Sequence, residues 1–150
     1  MEVQILVENK KARLNYELGD KYEAGVELLG LEVKSLRQKL GSLEGSYMII
    51  RGGEAFLINS FIPPYQEKNA PKEYDPRRNR KLLLSKKELY TLANLENGKN
   101  LTIVPTLVYN VDTKIKVEIR IAKGKKQYDK RDSIKKRETD REIDRTLKNR

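Results

Sequence analysis

Four cations near the end of the chain, Arg137, Arg141, Arg145 and Lys148, fall at i, i+4, i+8 and i+11. On a helix over residues 134–149 they would form one charged stripe, with Ile143 and Leu147 as a small apolar spot beside it. Such a stripe suits regularly spaced phosphates along a groove. A solvated helix laced with ion pairs such as Asp144–Lys148 and Glu142–Arg145 is the plainer reading. The segment offers no apolar face with which to join a core, which weighs towards nucleic acid. Upstream, Tyr128 sits among the cations of Lys123–Arg131. A basic strand with an interleaved aromatic can track phosphates and stack one base, although a basic linker with an incidental Tyr fits as well.

Two further groups stand in the body. Glu32, in Leu31-Glu32-Val33-Lys34-Ser35-Leu36-Arg37, lies in the first turn of a helical pattern. A carboxylate there compensates the helix dipole, and it can also accept from the exocyclic amino group of a base. Asp75-Pro76-Arg77-Arg78-Asn79-Arg80-Lys81 is a turn followed by a basic cluster, readable as a phosphate clamp or a solvated loop. No catalytic constellation appears. There is no phosphate-binding glycine loop, no Gly-x-Ser-x-Gly elbow and no acidic pair with metal spacing. The chain has no His and no Cys. It therefore lacks His or Cys catalytic systems, disulfides and the usual zinc or haem ligands.

Charge is distributed unevenly. Residues 123–150 hold 12 Lys/Arg and 6 Asp/Glu, a net of +6, whereas residues 1–122 carry only +4 of the total +10. The terminal segment is too poor in apolar residues to offset the entropy of ordering it alone. The expected organisation is a folded RNA-binding body over 1–122 and a basic tail over 123–150, disordered when free and ordered on a polyanion. No apolar run approaches the ~18 residues of a membrane span. The N-terminus has no signal-peptide pattern, so the expected compartment is the cytoplasm.

The elements that must position these residues are mainly strands. Residues 3–7 read as a short strand and 8–15 as a polar, basic stretch. Residues 16–18 and 22–29 read as β-type runs interrupted at Gly19-Asp20 by a hairpin-like or bulged connection. A helix is expected over 31–40, stopped by Gly41 at C′. Residues 47–51 and 54–58 form a hairpin on Gly52-Gly53. A long loop over about 63–80 suggests a binding or flexible segment. Ser85-Lys86-Lys87-Glu88 is a capping box that opens a second helix ending at Asn97-Gly98. Residues 101–111 make one long interrupted strand, and 114–121 alternate apolar and polar. The expected fold is mainly β: about six strands closing into an antiparallel barrel, with two to three flanking helices.

Several segments together resemble the SsrA-binding protein (small protein B) family. They are Asn9-Lys10-Lys11-Ala12-Arg13, Tyr22-Glu23-Ala24-Gly25, Gly30 to Arg37, and Asp75-Pro76 with Arg80-Lys81-Leu82-Leu83-Leu84. Lys116-Val117-Glu118, Ala122 to Arg131 and Ile134-Lys135-Lys136-Arg137-Glu138 complete the set. The resemblance is colinear from about residue 5 to the C-terminus. It implies a closed antiparallel barrel of OB type. It further implies a non-enzymatic role in trans-translation: binding the tRNA-like domain of transfer-messenger RNA (SsrA RNA) and delivering it to the A site of stalled ribosomes. The implied partners are that RNA and the ribosome, at the 16S rRNA decoding centre and the mRNA channel. Elongation factor Tu and alanyl-tRNA synthetase are implied indirectly, through the RNA. The tail would become helical in the empty mRNA channel.

Residue by residue, the resemblance places RNA contacts at Asn9, Lys10, Arg13 and Asn15, and at Glu32, Lys34, Ser35 and Arg37. Its decoding-centre block falls on Gly124, Lys125, Tyr128, Asp129, Lys130 and Arg131. Its tail positions fall on Ile134, Lys135, Arg137 and Leu147. Two positions depart from the family pattern. Thr139 stands where an aromatic commonly follows the Ile-Lys-x-Arg-Glu block, and Phe61 replaces a common His. No cofactor, metal or membrane is expected, and the chain is expected to be a monomer. The alternative reading is a structural ribosomal or general RNA-binding protein. A nuclease using Glu32, Asp75 or Glu118 with Mg²⁺ has no support in the spacing.

Overall fold

The computed structural model describes residues 3–66, 68, 71–96 and 101–124. Within them lie seven strands: β1 (Val3–Glu8), β2 (Tyr16–Val26), β3 (Tyr47–Arg51), β4 (Glu54–Ile58), β5 (Arg80–Leu83), β6 (Leu101–Val111) and β7 (Lys114–Gly124). The helices are α1 (Lys10–Asn15), α2 (Gly30–Arg37) and α3 (Lys86–Glu96). All the pairings are antiparallel. They run β6–β3–β4–β5–β2–β7 and return to β6, so hydrogen bonding is ring-like. Strand β6 gives one edge to β7 along its whole length. Its other edge is shared: Ile103 pairs with Met48 of β3, and residues 107–111 pair with β1. β1, expected at 3–7, is thus an outlying partner of β6, and the strand beyond the expected six is β5, which follows the loop and joins β4 to β2.

Alternation within the strands turns one set of side chains inward. Met48, Ala55, Leu57, Leu82, Ile103, Val108, Val117 and Ile119 make the main core. Leu36 of α2 and Leu92 of α3 complete it. Ala12 of α1 packs with Val104 and Ala122 in a second, smaller cluster. Val104 and Ala122 are the sequence neighbours of Ile103 and Ile121, so they face the opposite side of the sheet. This end of β6 and β7 is therefore covered on both faces.

The hairpin forms as expected, with φ of 61° at Gly52 and 75° at Gly53, a pair of left-handed positions that any side chain would strain. The Ser85 capping box also forms: Glu88 N donates to Ser85 Oγ and Ser85 N to Glu88 Oε1, both at 3.2 Å. Three expectations are sharpened or corrected. Residues 10–15, read only as polar and basic, are helical. The runs at 16–18 and 22–29 are one strand to Val26, and of the two connections expected at Gly19-Asp20 it is the bulge, between Leu18 and Lys21, that forms. The 31–40 helix ends at Arg37. Lys39, at φ 62°, takes the left-handed C′ position expected of Gly41. Its N–H donates to Leu36 O at 2.8 Å and the Leu40 N–H to Ser35 O at 3.1 Å, a Schellman closure. Gly41, two residues further on, has a positive φ of its own, 124°, and also permits a close approach. A Cβ there would sit 3.1 Å from Phe61 O and 3.3 Å from Leu36 Cδ2.

Among the described residues no helix is long and apolar enough to cross a membrane.

Candidate nucleic-acid interface

Helix α1 has six residues, too few to persist alone. A bulge in β6 fastens it. Pro105 interrupts that strand, and the register with β7 shifts between Pro105 and Leu107. The shift frees carbonyls, and Asn9 takes them. Its backbone N–H donates to Thr106 O at 2.8 Å, and its Nδ2 to Pro105 O at 2.9 Å and Leu43 O at 3.2 Å. Its Oδ1 caps the helix by accepting from Ala12 N at 3.2 Å. Asn9 is thereby buried. Lys10, Arg13 and Asn15 point to water from the turn and a half that follows. Lys11 pairs with Glu44 at 2.7 Å and Arg13 with Glu8 at 3.9 Å, all well-exposed groups. Gly124 ends β7 opposite Tyr16, directly after α1, so the last described residue stands beside this helix.

Helix α2 is fastened by charge. Its Glu32 side chain is 0% exposed. Oε1 accepts from Leu29 N at 2.8 Å, which caps the helix, and from Arg78 NH2 at 2.5 Å. Oε2 accepts from Arg78 Nε at 2.9 Å, Arg80 Nε at 2.8 Å and the Tyr74 hydroxyl at 3.0 Å. Arg80 is buried completely, and its remaining N–H groups reach Ser60 O, Ser60 Oγ, Arg78 O, Pro76 O and the Tyr74 oxygen at 2.9–3.1 Å. Burial pushes the Glu32 carboxyl up, but the Arg78 hydrogen bond, the Leu29 N–H and Arg80 outweigh it, and the group settles below its ordinary value. Burial and the Glu32 charge push the Tyr74 hydroxyl up to about 12, so it stays a donor.

The carboxylate assigned to an RNA contact by resemblance is therefore enclosed by protein donors. Ser35 is equally enclosed, and its Oγ has no hydrogen-bond partner among the described residues. Lys34 and Arg37 are the members of this block that face water, with Arg37 NH2 donating to Thr113 O in the β6–β7 turn at 2.9 Å. That turn and the Val104/Ala122 surface under α1 lie at opposite ends of β6 and β7. The structure thus sets out two basic surfaces along these strands. Lys125, Tyr128, Asp129, Lys130, Arg131, Ile134, Lys135, Arg137 and Leu147 lie outside the described residues.

The partners of Glu32 were missed in the sequence, although one signal was present. Arg80 and Leu82 are two apart on β5 and share a face. Leu82 is an obvious core residue, so Arg80 had to point inward and find a carboxylate. The long loop before β5 is correspondingly tied. Ile62 N donates to Pro76 O at 2.9 Å, and Ser42 and Phe61 exchange backbone hydrogen bonds at 2.8 and 2.9 Å. Among the described residues no cluster of acidic side chains could hold a metal ion.

The family model described as SmpB protein matches residues 6–149. An SsrA-binding protein from Gloeothece citriformis (strain PCC 7424) is 44% identical over 147 residues, covering 98% of this chain and 95% of the relative. One from Clostridium botulinum (strain Hall) is 46% identical over 145 residues, covering 97% and 92%. Among solved structures, a chain from "tmRNA-SmpB: a journey to the center of the bacterial ribosome" superposes with a TM-score of 0.69 at 45% identity, over 87% of this chain and 91% of that one. With matched residues spanning nearly its whole length, this chain belongs to the SmpB protein family.

Proposed function

We propose that this protein is a trans-translation factor that binds the tRNA-like domain of transfer-messenger RNA and brings it to the A site of stalled ribosomes. The observation that carries the reading is the match of residues 6–149 to the SmpB family, reinforced by a 45%-identical fold neighbour from a tmRNA–SmpB ribosome structure. The geometry suits a binder. A rigid sheet with ring-like pairing supports a closed barrel of OB type, and two short helices carry cations outward from it.

Within this reading Lys10, Arg13, Asn15, Lys34 and Arg37 touch the RNA directly. Asn9, Glu32 and Ser35 act from inside by setting where α1 and α2 stand. The body, 1–122, grips the RNA. The basic segment 123–150 serves ribosomal RNA at the decoding centre and mRNA channel. Its contact residues in this reading are Gly124, at the end of β7, then Lys125, Tyr128, Asp129, Lys130, Arg131, Ile134, Lys135, Arg137 and Leu147. Ribosome work of this kind is cytoplasmic and requires no cofactor.

The test is sequencing of the RNA recovered with tagged full-length protein and with a 1–126 truncation from a bacterial lysate. Selective recovery of one tRNA-like RNA by both forms supports the reading. Indiscriminate recovery that disappears with the tail refutes it.

A further inference from the structure

The basic cluster of residues 77–81 is only partly used by the interface above. Lys81 meets Glu54 at 3.7 Å near the surface. Arg80 and Arg78 share a single carboxylate, Glu32, while Tyr74 remains neutral. Two guanidiniums against one carboxylate leave one positive charge uncompensated. Arg80 is sealed on every side, so that surplus can meet a counter-ion only at the outer edge of Arg78, whose side chain is 31% exposed.

The next residue adds a second cation at the same corner. Arg77 is exposed, and its guanidinium carbon lies 5.1 Å from the centroid of the Phe61 ring. Its NH1 donates to Asn59 O and Asn59 Oδ1, both at 3.3 Å. Asp75 accepts from the Arg77 backbone N–H at 2.9 Å, and among the described residues it makes no ion pair with either guanidinium. Arg77 therefore has a fixed guanidinium and no carboxylate partner among the described residues. Holding a flexible cation in place beforehand removes part of the entropy that binding an anion would otherwise cost. The ring beneath it is Phe61, where the family pattern commonly has His. The ring is apolar and uncharged, so it supports the guanidinium at any pH.

We propose that Arg77 and Arg78 form an additional phosphodiester-binding corner for the RNA, distinct from the exposed cations of α1 and α2 and joined to α2 through the Arg78–Glu32 pair, with Phe61 and Asn59 as positioning residues for Arg77. This rests on the RNA-binding reading. Among the described residues Arg77 donates from NH1 to Asn59, while Arg78 donates from Nε and NH2 to Glu32 and from NH1 to Asn79 O at 3.3 Å. The N–H groups left over on these planar guanidiniums match phosphate oxygens, and a backbone phosphate is the anion that an RNA ligand supplies in every register.

The experiment uses the full-length protein and measures affinity against salt concentration for two RNAs: the tRNA-like domain of transfer-messenger RNA and an unrelated hairpin of equal length. Arg77→Ala is compared with Arg77→Lys and with Lys72→Ala, an exposed loop cation with no ring beneath it. Arg77→Ala is expected to weaken binding of the tRNA-like RNA roughly fivefold and to lower the salt slope by about 0.7–0.9, one phosphate's worth. Arg77→Lys should keep the slope, and Lys72→Ala should change neither quantity. Phe61→Leu should weaken binding when Arg77 is present and add nothing to Arg77→Ala.

Unchanged affinity and slope in Arg77→Ala, with wild-type binding intact, overturn the corner and leave the functional reading standing. Equal wild-type affinity for both RNAs overturns the reading, while a slope lost with Arg77 still upholds a phosphate contact. Inorganic phosphate at constant ionic strength supplies the last arm. If it displaces the RNA from wild type and Arg77→Ala alike, the corner is not where phosphate competes, and the proposal fails.

Discussion

Helices α1 and α2 present the same cargo, exposed cations on a short helix, but are fastened by opposite chemistry. Helix α1 hangs on one neutral asparagine, which donates to two carbonyls at the β6 bulge, Pro105 O and Thr106 O, and to Leu43 O. Helix α2 is held through one buried carboxylate shared by two arginines and a tyrosine. The neutral fastening is indifferent to pH and modest in strength. The ionic one is strong only while complete, because loss of one partner strands a buried charge. The difference teaches that a residue can shape a surface without lying on it. Asn9 and Glu32 set the pose of a helix, and in the proposed interface its exposed neighbours meet the RNA.

The largest expected effect follows from the ionic side. Glu32→Ala should destabilise the fold by about 3–5 kcal/mol, since Arg80 would be left buried without its carboxylate. Thermal or urea unfolding checks this, and a loss near 1 kcal/mol would mean that the network relaxes freely. Asn9→Ala should cost less, about 1–3 kcal/mol, by removing a helix cap and two donors to buried carbonyls. If Asn9→Ala proves the more damaging, the ranking of the two fastenings is inverted.

The next effect concerns pH. Glu32 sits below its ordinary value of 4.5 in the folded state. Its contribution is complete above the unfolded-state value and is lost as pH falls through the depressed folded one. Unfolding free energy between about pH 5 and pH 2 should therefore fall more steeply for wild type than for Glu32→Gln. Parallel curves would show that Glu32 carries no proton linkage. Asn9→Ala, by contrast, should keep the wild-type pH slope.

The smallest effect belongs to a surface pair. Lys11→Ala breaks the exposed contact with Glu44 and should change stability by less than about 1 kcal/mol. A larger loss would show that α1 depends on more than Asn9.

Much of this was legible in the chain. The Gly52-Gly53 hairpin, the Ser85 capping box and the alternation of β7 are local signals, and each appears where its residues put it. Helix α1 was not legible. Its six residues contain no strong apolar period, and their helicity depends on a bulge nearly a hundred positions away. The stop of α2 was misplaced because Gly41 is the cheaper left-handed residue, yet the chain spends it on a close approach to Phe61 and puts Lys39 at C′. Glu32 was singled out, but its partners come from residues 74–80, and no local pattern links those to a helix more than forty positions earlier.

The measurement that tests the central claim most directly is RNA affinity and melting temperature on the same sample of a Lys10→Ala/Lys34→Ala double variant, one exposed cation from each helix. The account predicts RNA binding weaker by about tenfold or more, a smaller salt slope by about 1.5–2, and an unchanged melting temperature. Wild-type affinity in the double variant would contradict it, as would a loss of binding that only follows a loss of folding. Either result would move the interface away from the two helices.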